Sequence, residues 1–199
     1  MTALKTVCVF CGSQPGARPE YLEAARELGT RLARHGVALV FGAGHVGMMG
    51  AVSDAVLAAG GAAVGIIPQH LVAAEPPSRA LTELHVVDSM HTRKRMMAER
   101  SDAFIVLPGG YGTFEEMFEM VTWLQLRLQC KPVGLINVEG YFDHLLRFLQ
   151  HAAQEGFIRP QHWDLLIVES SPSLLLARLG LHADQLQRAH PVQGSTQQG

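Results

Sequence analysis

Charge is scarce in this 199-residue sequence: Asp, Glu, Lys and Arg make up 17% of it, and 16 cations against 18 carboxylates leave a formal net charge of −2 with histidines neutral. No overall basic bias points to a nucleic-acid partner or an anionic membrane surface, and neither is expected. The chain has no run of 18 apolar residues, which excludes a membrane-spanning helix. It has 3 cysteines, too few for a disulfide scaffold. Cys8 and Cys11 form a C-x-x-C, but on a strand residues three apart face opposite sides, so a redox pair is the weaker reading. The 10 histidines contain no H-E-x-x-H, no second close cysteine pair exists for zinc, and no G-x-S-x-G elbow occurs, so no metal site is expected. Only Lys5, Lys94 and Lys131 are available for a pyridoxal Schiff base, and none has a suitable setting. The first five residues run straight into an apolar stretch too short for a signal-peptide core, so the expected compartment is the cytoplasm.

What the chain does have is 48% hydrophobic residues in short, regularly spaced runs. That content excludes a disordered chain, and the length suits one domain. Val7–Cys11, Val37–Phe41, Ala63–Ile67, Leu84–Val87, Ala103–Leu107, Val133–Asn137 and Leu165–Val168 are rich in Val, Ile and Leu without strict alternation, as strands buried on both faces should be. Amphipathic stretches lie between them, at Tyr21–His35, Thr113–Gln129 and Tyr141–Glu155. The expected fold class is α/β: a Rossmann-like, doubly wound, mainly parallel sheet of about seven strands with helices on both faces. Residues 1–183 are expected to form one nucleotide-binding domain, and the polar, Gln-rich segment 184–199 a disordered tail. Residues 69–82 form the longest irregular stretch, long enough to be functional or mobile.

In an open parallel sheet, ligands bind beyond the carboxyl ends of the strands, and glycine-rich loops fall there. Gly42-Ala-Gly44-His-Val-Gly47 matches G-x-G-x-x-G, a weak signal alone. A nicotinamide dinucleotide also needs a carboxylate at the end of the next strand, and Ile66-Ile67-Pro68-Gln69 supplies none. The plainer reading is that these glycines allow tight turning and close packing. Gly12 and Ser13, after the first strand, are candidate ligand contacts, a turn role being the plainer one. Pro108-Gly109-Gly110-Tyr111-Gly112-Thr113-Phe114-Glu115-Glu116 follows the fifth strand and opens a long helix, whose free N–H groups suit a phosphate. No lysine follows, so this is not a Walker loop. Thr113-x-x-Glu116 is equally the pattern of a capping box, in which Glu116 only bonds the Thr113 N–H, and spacing does not choose between the two. Met90-His91-Thr92-Arg93-Lys94-Arg95 begins a helix capped by Ser89. Cations in the first turns oppose the helix dipole, so an anion or carboxylates should lie nearby. Arg93 shares a stripe with Met90 and Met97, which turns it away from solvent.

These residues resemble the Lonely Guy family of cytokinin-activating phosphoribohydrolases, often mislabelled as lysine decarboxylases. The marks are Cys-Val-Phe-Cys-Gly-Ser at Cys8 to Ser13, M-H-x-R-K at Met90 to Lys94 and P-G-G-x-G-T-x-x-E at Pro108 to Glu116. The family usually has Y-G-G-G where this chain has Phe41-Gly42-Ala43-Gly44. The resemblance covers about residues 6–180. It implies hydrolysis of nucleoside 5′-monophosphates, AMP and N6-substituted cytokinin nucleotides, to free base and ribose 5-phosphate, without a cofactor. It implies that Arg93 and Glu116 are the catalytic pair. It places Glu75, Lys94, Gly110, Tyr111, Gly112, Thr113, Phe114, Glu115 and Thr122 with them among the substrate contacts. It also implies a homodimer or larger homo-oligomer with sites near the interface. The alternative is a non-catalytic nucleotide or molybdenum-cofactor carrier, since such carriers share this architecture.

Overall fold

A computed structural model describes residues 4–78 and 80–189. Its centre is one parallel sheet of seven strands: β1 (Thr6–Phe10), β2 (Ala38–Phe41), β3 (Ala63–Pro68), β4 (Glu83–Val87), β5 (Ala103–Val106), β6 (Val133–Ile136) and β7 (Leu166–Glu169). The spatial order is β4-β3-β2-β1-β5-β6-β7, with every pairing parallel. All seven expected strands are present, each within two residues of the predicted bounds. The chain lays down β1 to β4 outward in one direction, then returns to place β5 on the other side of β1. The gap between the β1 and β5 ends is therefore the topological switch point, where a parallel sheet opens a crevice.

Helices α1 (Pro19–Arg34), α2 (Gly47–Ala58) and α6 (Pro172–Ala189) cover one face, and α3 (Met90–Glu99) and α4 (Tyr111–Gln125) the other; α5 (Asp143–Gln154) completes the element order. Side chains of β1 alternate between the two cores: Val7 and Val9 join Leu28, Leu32 and Val52, while Cys8 and Phe10 join Met97, Phe104 and Met117. Cys8 and Cys11 are consequently buried in opposite cores as free thiols, which removes the redox reading of the C-x-x-C. The expected tail differs from the structure in part. Residues 184–189 continue α6 through Ala189, and the rest of that segment lies outside the described residues. Among the described residues no helix is long and apolar enough to cross a membrane.

Local sequence sets the helix ends. α1 opens with Pro19 and Glu20, closes with Arg31 and Arg34, and stops at Gly36, whose φ is +66°. α1 and α2 approach closely because position 29 has no side chain. A Cβ there would overlap the Val52 carbonyl oxygen and sit 2.9 Å from Ala55 Cβ. Helix propensity favours Ala over Gly by about 1 kcal/mol, while overpacking costs ~1–3 kcal/mol. The obstacle is backbone, so packing wins. Gly29→Ala should lower stability by up to about 2 kcal/mol in urea unfolding; a rise in stability would show that the helices can slide apart freely.

Candidate active site

Loops from β1, β2, β3, β5 and β6 meet at the carboxyl edge of the sheet. Gly12 N–H donates to the Pro108 carbonyl (3.0 Å), tying the β1 loop to the β5 loop across the switch point. Tyr141 Oη donates to the Gly109 carbonyl (2.6 Å), bringing in the segment after β6. The 69–82 stretch folds back on the first glycine loop through a bridge between Gly44 and Pro77 and a contact of His45 Nδ1 with the Pro76 carbonyl. Half-buried Glu75, whose N–H donates to the Leu71 carbonyl, is held beside that loop by these contacts.

Helix α4 begins at Tyr111 with Gly110 as N-cap, and no side chain caps it. This decides between the two readings of the loop. Thr113 lies inside the first turn and is buried, so Thr113 and Glu116 do not form a capping box. A Cβ at Gly109 would overlap Thr113 Oγ1 and sit 2.8 Å from Gly12 N, so only glycine lets the loops meet there. Gly110 and Gly112 have open space beside them, and Tyr111 is 94% exposed. The first-turn N–H groups of α4 thus face an open approach and the positive end of the helix dipole.

Arg93 and Glu116 come together across α3 and α4, with Arg93 Nη2 3.8 Å from Glu116 Oε1 and side chains only 8% and 11% exposed. The remaining guanidinium contacts are weak: Nη1 lies 3.8 Å from Met90 Sδ, and Nε is buried without a hydrogen-bond partner among the described residues. A Cβ at Gly42 would overlap Arg93 Nη2 and lie 3.1 Å from Cζ, so the first glycine loop makes room for the guanidinium. Burial pushes the Glu116 carboxyl up to about 7, with Glu115 and Glu119 adding to the rise, while Arg93 and Lys94 hold it lower than burial alone would.

Lys94 points elsewhere. Its Nζ pairs with Glu115 and, at 3.1 Å, with Glu119 Oε2. Burial disfavours its charge, but the two carboxylates outweigh that and raise its proton affinity. Glu119 was not singled out from the sequence, although Glu115 and Glu119 stand four apart on one helix face. The structure leaves Thr122 apart from this cluster. It is exposed and lines a groove of about 1000 Å³ between α4, α5 and β7, with Phe118, Leu146 and Trp163. Phe114 is half-buried against Phe142, the β1 loop approaches the start of α2 so closely that a Cβ at Gly47 would overlap the Ser13 carbonyl, and Gly44 packs on Met49. Among the described residues, no three of His, Cys, Asp and Glu gather as metal ligands would.

The family model described as "Possible lysine decarboxylase" matches residues 49–179. The chain is 49% identical over 175 residues to the probable cytokinin riboside 5′-monophosphate phosphoribohydrolase LOGL5 of Oryza sativa subsp. japonica, covering 88% of this chain and 71% of that one. It is 46% identical over 175 residues to the cytokinin riboside 5′-monophosphate phosphoribohydrolase LOG1 of Arabidopsis thaliana, covering 88% and 82%. The chain belongs to the Lonely Guy family. Among solved structures it resembles the molybdenum cofactor carrier protein of Chlamydomonas reinhardtii, with TM-score 0.67, 22% identity and coverage of 92% and 98%. It also resembles the molybdenum cofactor binding protein of Rippkaea orientalis, with TM-score 0.65, 23% identity and coverage of 95% and 98%. At that identity the likeness is one of fold.

The carboxyl of Glu116 couples stability to pH. The unfolded chain releases this proton near 4.5, while the folded chain keeps it to about 7. Between those values the native state binds more protons, so stability falls as pH rises, by about 3 kcal/mol in total. Glu116→Gln mimics the protonated form and should match the wild type near pH 4 and exceed it by up to about 3 kcal/mol above pH 7. Chemical denaturation at the two pH values checks this; equal stability of the two proteins at pH 8 would contradict it.

Proposed function

We propose that the chain hydrolyses the N-glycosidic bond of nucleoside 5′-monophosphates, AMP and N6-substituted cytokinin riboside monophosphates, to free base and ribose 5-phosphate. The observation that carries this reading is the loose, buried Arg93–Glu116 pair beside an uncapped helix N-terminus, in a chain 46–49% identical to phosphoribohydrolases. Breaking the bond builds positive charge on the ribose. The ionised Glu116 carboxyl, fixed in a dry site, stabilises that charge and orients water. Arg93 is charged at any working pH and therefore binds and orients the substrate instead of donating a proton. The free N–H groups of Gly110 to Thr113 hold the phosphate, which places the bond to be cut. Lys94 supports Glu115 and Glu119 at the rim of the same cluster, and Glu75 approaches from the strap over the first glycine loop. No step calls for a metal or a cofactor.

Two other readings are weaker. A molybdenum-cofactor carrier is favoured only by likeness of fold. A pyridoxal decarboxylase needs a free lysine at the site. Lys94 is held by two carboxylates, while Lys5 and Lys131 precede β1 and β6, at the opposite edge of the sheet from the glycine loops. Lys131 Nζ moreover donates to the Ala98 carbonyl at 2.6 Å.

The functional unit in this reading is a homodimer or larger homo-oligomer. The groove that holds Thr122 carries Phe118 and Trp163, 38% and 45% exposed, and neighbouring α5 leaves Phe148 64% exposed and has no fully buried residue. A second copy of the chain covers this face and makes Thr122 part of a shared site. Two buried free thiols on opposite faces fit a reducing cytoplasm.

Purified protein incubated with AMP should release adenine, and adenosine should be a far poorer substrate. Glu116→Gln should lower kcat by about 10²–10³-fold, and unchanged turnover would reject the catalytic role. Wild-type kcat/KM should rise with pH through about 7, where Glu116 ionises. The same limb surviving in Glu116→Gln would assign it to the substrate phosphate, which titrates near ~6. Sedimentation should give a dimer or larger species, and a monomer at micromolar concentration would overturn the shared-site assignment of Thr122.

A further inference from the structure

We propose that Tyr141 is a positioning residue for the phosphate cradle, a role that rests on the nucleotide reading above. It follows from counting what holds the backbone of the β5–α4 loop. Three successive carbonyls are each engaged, the last by the first intrahelical bond of α4. Pro108 O accepts from Gly12 N–H at 3.0 Å, Gly109 O from the Tyr141 hydroxyl at 2.6 Å, and Gly110 O from Phe114 N–H at 3.1 Å. Two of these donors are backbone. The Tyr141 hydroxyl is the one side-chain donor, and it acts on the peptide that joins two glycines.

The peptide unit is planar and trans, so the Gly109 carbonyl and the Gly110 N–H point in opposite directions. Anchoring the carbonyl therefore aims that N–H to the side away from Tyr141, the side the phosphate takes. The anchor matters because of what flanks the peptide. A residue without Cβ on each side makes rotation of this unit cheap, and open space surrounds Gly110. The bond to the carbonyl also polarises the peptide and strengthens its N–H as a donor.

Tyr141 is itself well placed for this task. It follows a 3-10 turn, Val138–Gly140, in which Glu139 and Gly140 both have positive φ (49° and 69°), a sharp bend that brings the ring back toward β5. Its ring is held edge-on between Tyr21 (5.6 Å) and Phe142 (4.8 Å), the latter 1% exposed in the core. The hydroxyl is thus delivered from an aromatic cluster at the surface, Tyr141 itself being 37% exposed.

Tyr141→Phe keeps the ring stack and removes one oxygen, so the fold is retained and only the peptide anchor is lost. The expected result is selective. The KM for AMP and the calorimetric Kd for ribose 5-phosphate both rise about tenfold, the loss of one hydrogen bond's worth of orientation. The kcat stays within about twofold and inhibition by adenine is unchanged. Wild-type Kd for ribose 5-phosphate in the variant overturns the role, as does equal weakening of ribose 5-phosphate and adenine, which marks a general structural change. If the wild type releases no base from AMP, the hydrolase reading fails, yet the ribose 5-phosphate titrations of the two proteins still decide what Tyr141 does.

Discussion

Everything at this site depends on a carboxylate and a guanidinium buried together without being fully joined. Desolvating two such charges costs several kcal/mol, and a well-formed bridge returns much of it through short, paired hydrogen bonds. The Arg93–Glu116 pair forgoes that return: at 3.8 Å it is an ion pair without close hydrogen-bond geometry, and Arg93 Nε is unpartnered. The raised proton affinity of Glu116 is the same fact seen from the carboxyl, since burial outweighs its neighbouring cation. A pair built for stability would be tighter. This one keeps unsatisfied bonding capacity where the strand order opens a crevice.

The glycines around it are explained by that constraint more than by turn-making. Gly42 leaves the volume that Arg93 Nη2 occupies, and Gly109 lets Thr113 and Gly12 close the floor of the α4 entrance. Ala43 shows how far the loop shape is imposed from outside. It sits at φ +68°, a left-handed conformation that costs a side-chain-bearing residue about 1–2 kcal/mol, yet it is fully buried there. Gly65 on the adjacent strand makes this possible, because a Cβ at 65 would come within 2.8 Å of Ala43 Cβ. A conformation that glycine adopts more readily is kept here by an alanine, and the neighbouring strand makes the room for its methyl group.

The strands were legible because a sheet buried on both faces leaves an unbroken apolar run for each one, as in Ala103–Val106. The cap of α3 was legible because Ser89 is followed by a helix that needs its oxygen, and it accepts from Thr92 N–H at 3.2 Å. The start of α4 was less so. A glycine N-cap leaves no side-chain signature, while Thr113-x-x-Glu116 imitates a cap two residues inside the helix. Partner choice was out of reach as well. Periodicity turns Arg93 inward but cannot say which helix it meets, and nothing local ties Tyr141 to a carbonyl 32 residues earlier. Thr122 illustrates the limit of resemblance: within one chain it is exposed in a groove apart from the Arg93–Glu116 cluster.

The two consecutive cations on α3 divide the labour by one step of the helix. Successive residues point about 100° apart, so Lys94 reaches Glu115 and Glu119, four residues apart on one face of α4, while Arg93 reaches Glu116. Lys94 is thereby held between two carboxylates, and Arg93 keeps capacity for a ligand. With all five groups ionised the cluster carries one excess negative charge, which opposes an arriving anion; with Glu116 protonated it is neutral. A phosphomonoester, carrying about −1.5 to −2 charges near neutrality, is a like charge to Glu116 and favours its protonated form further. Substrate and proton therefore bind cooperatively. The ionised carboxyl that supports the ribose cation is therefore reached at a higher pH in the complex than in the free protein.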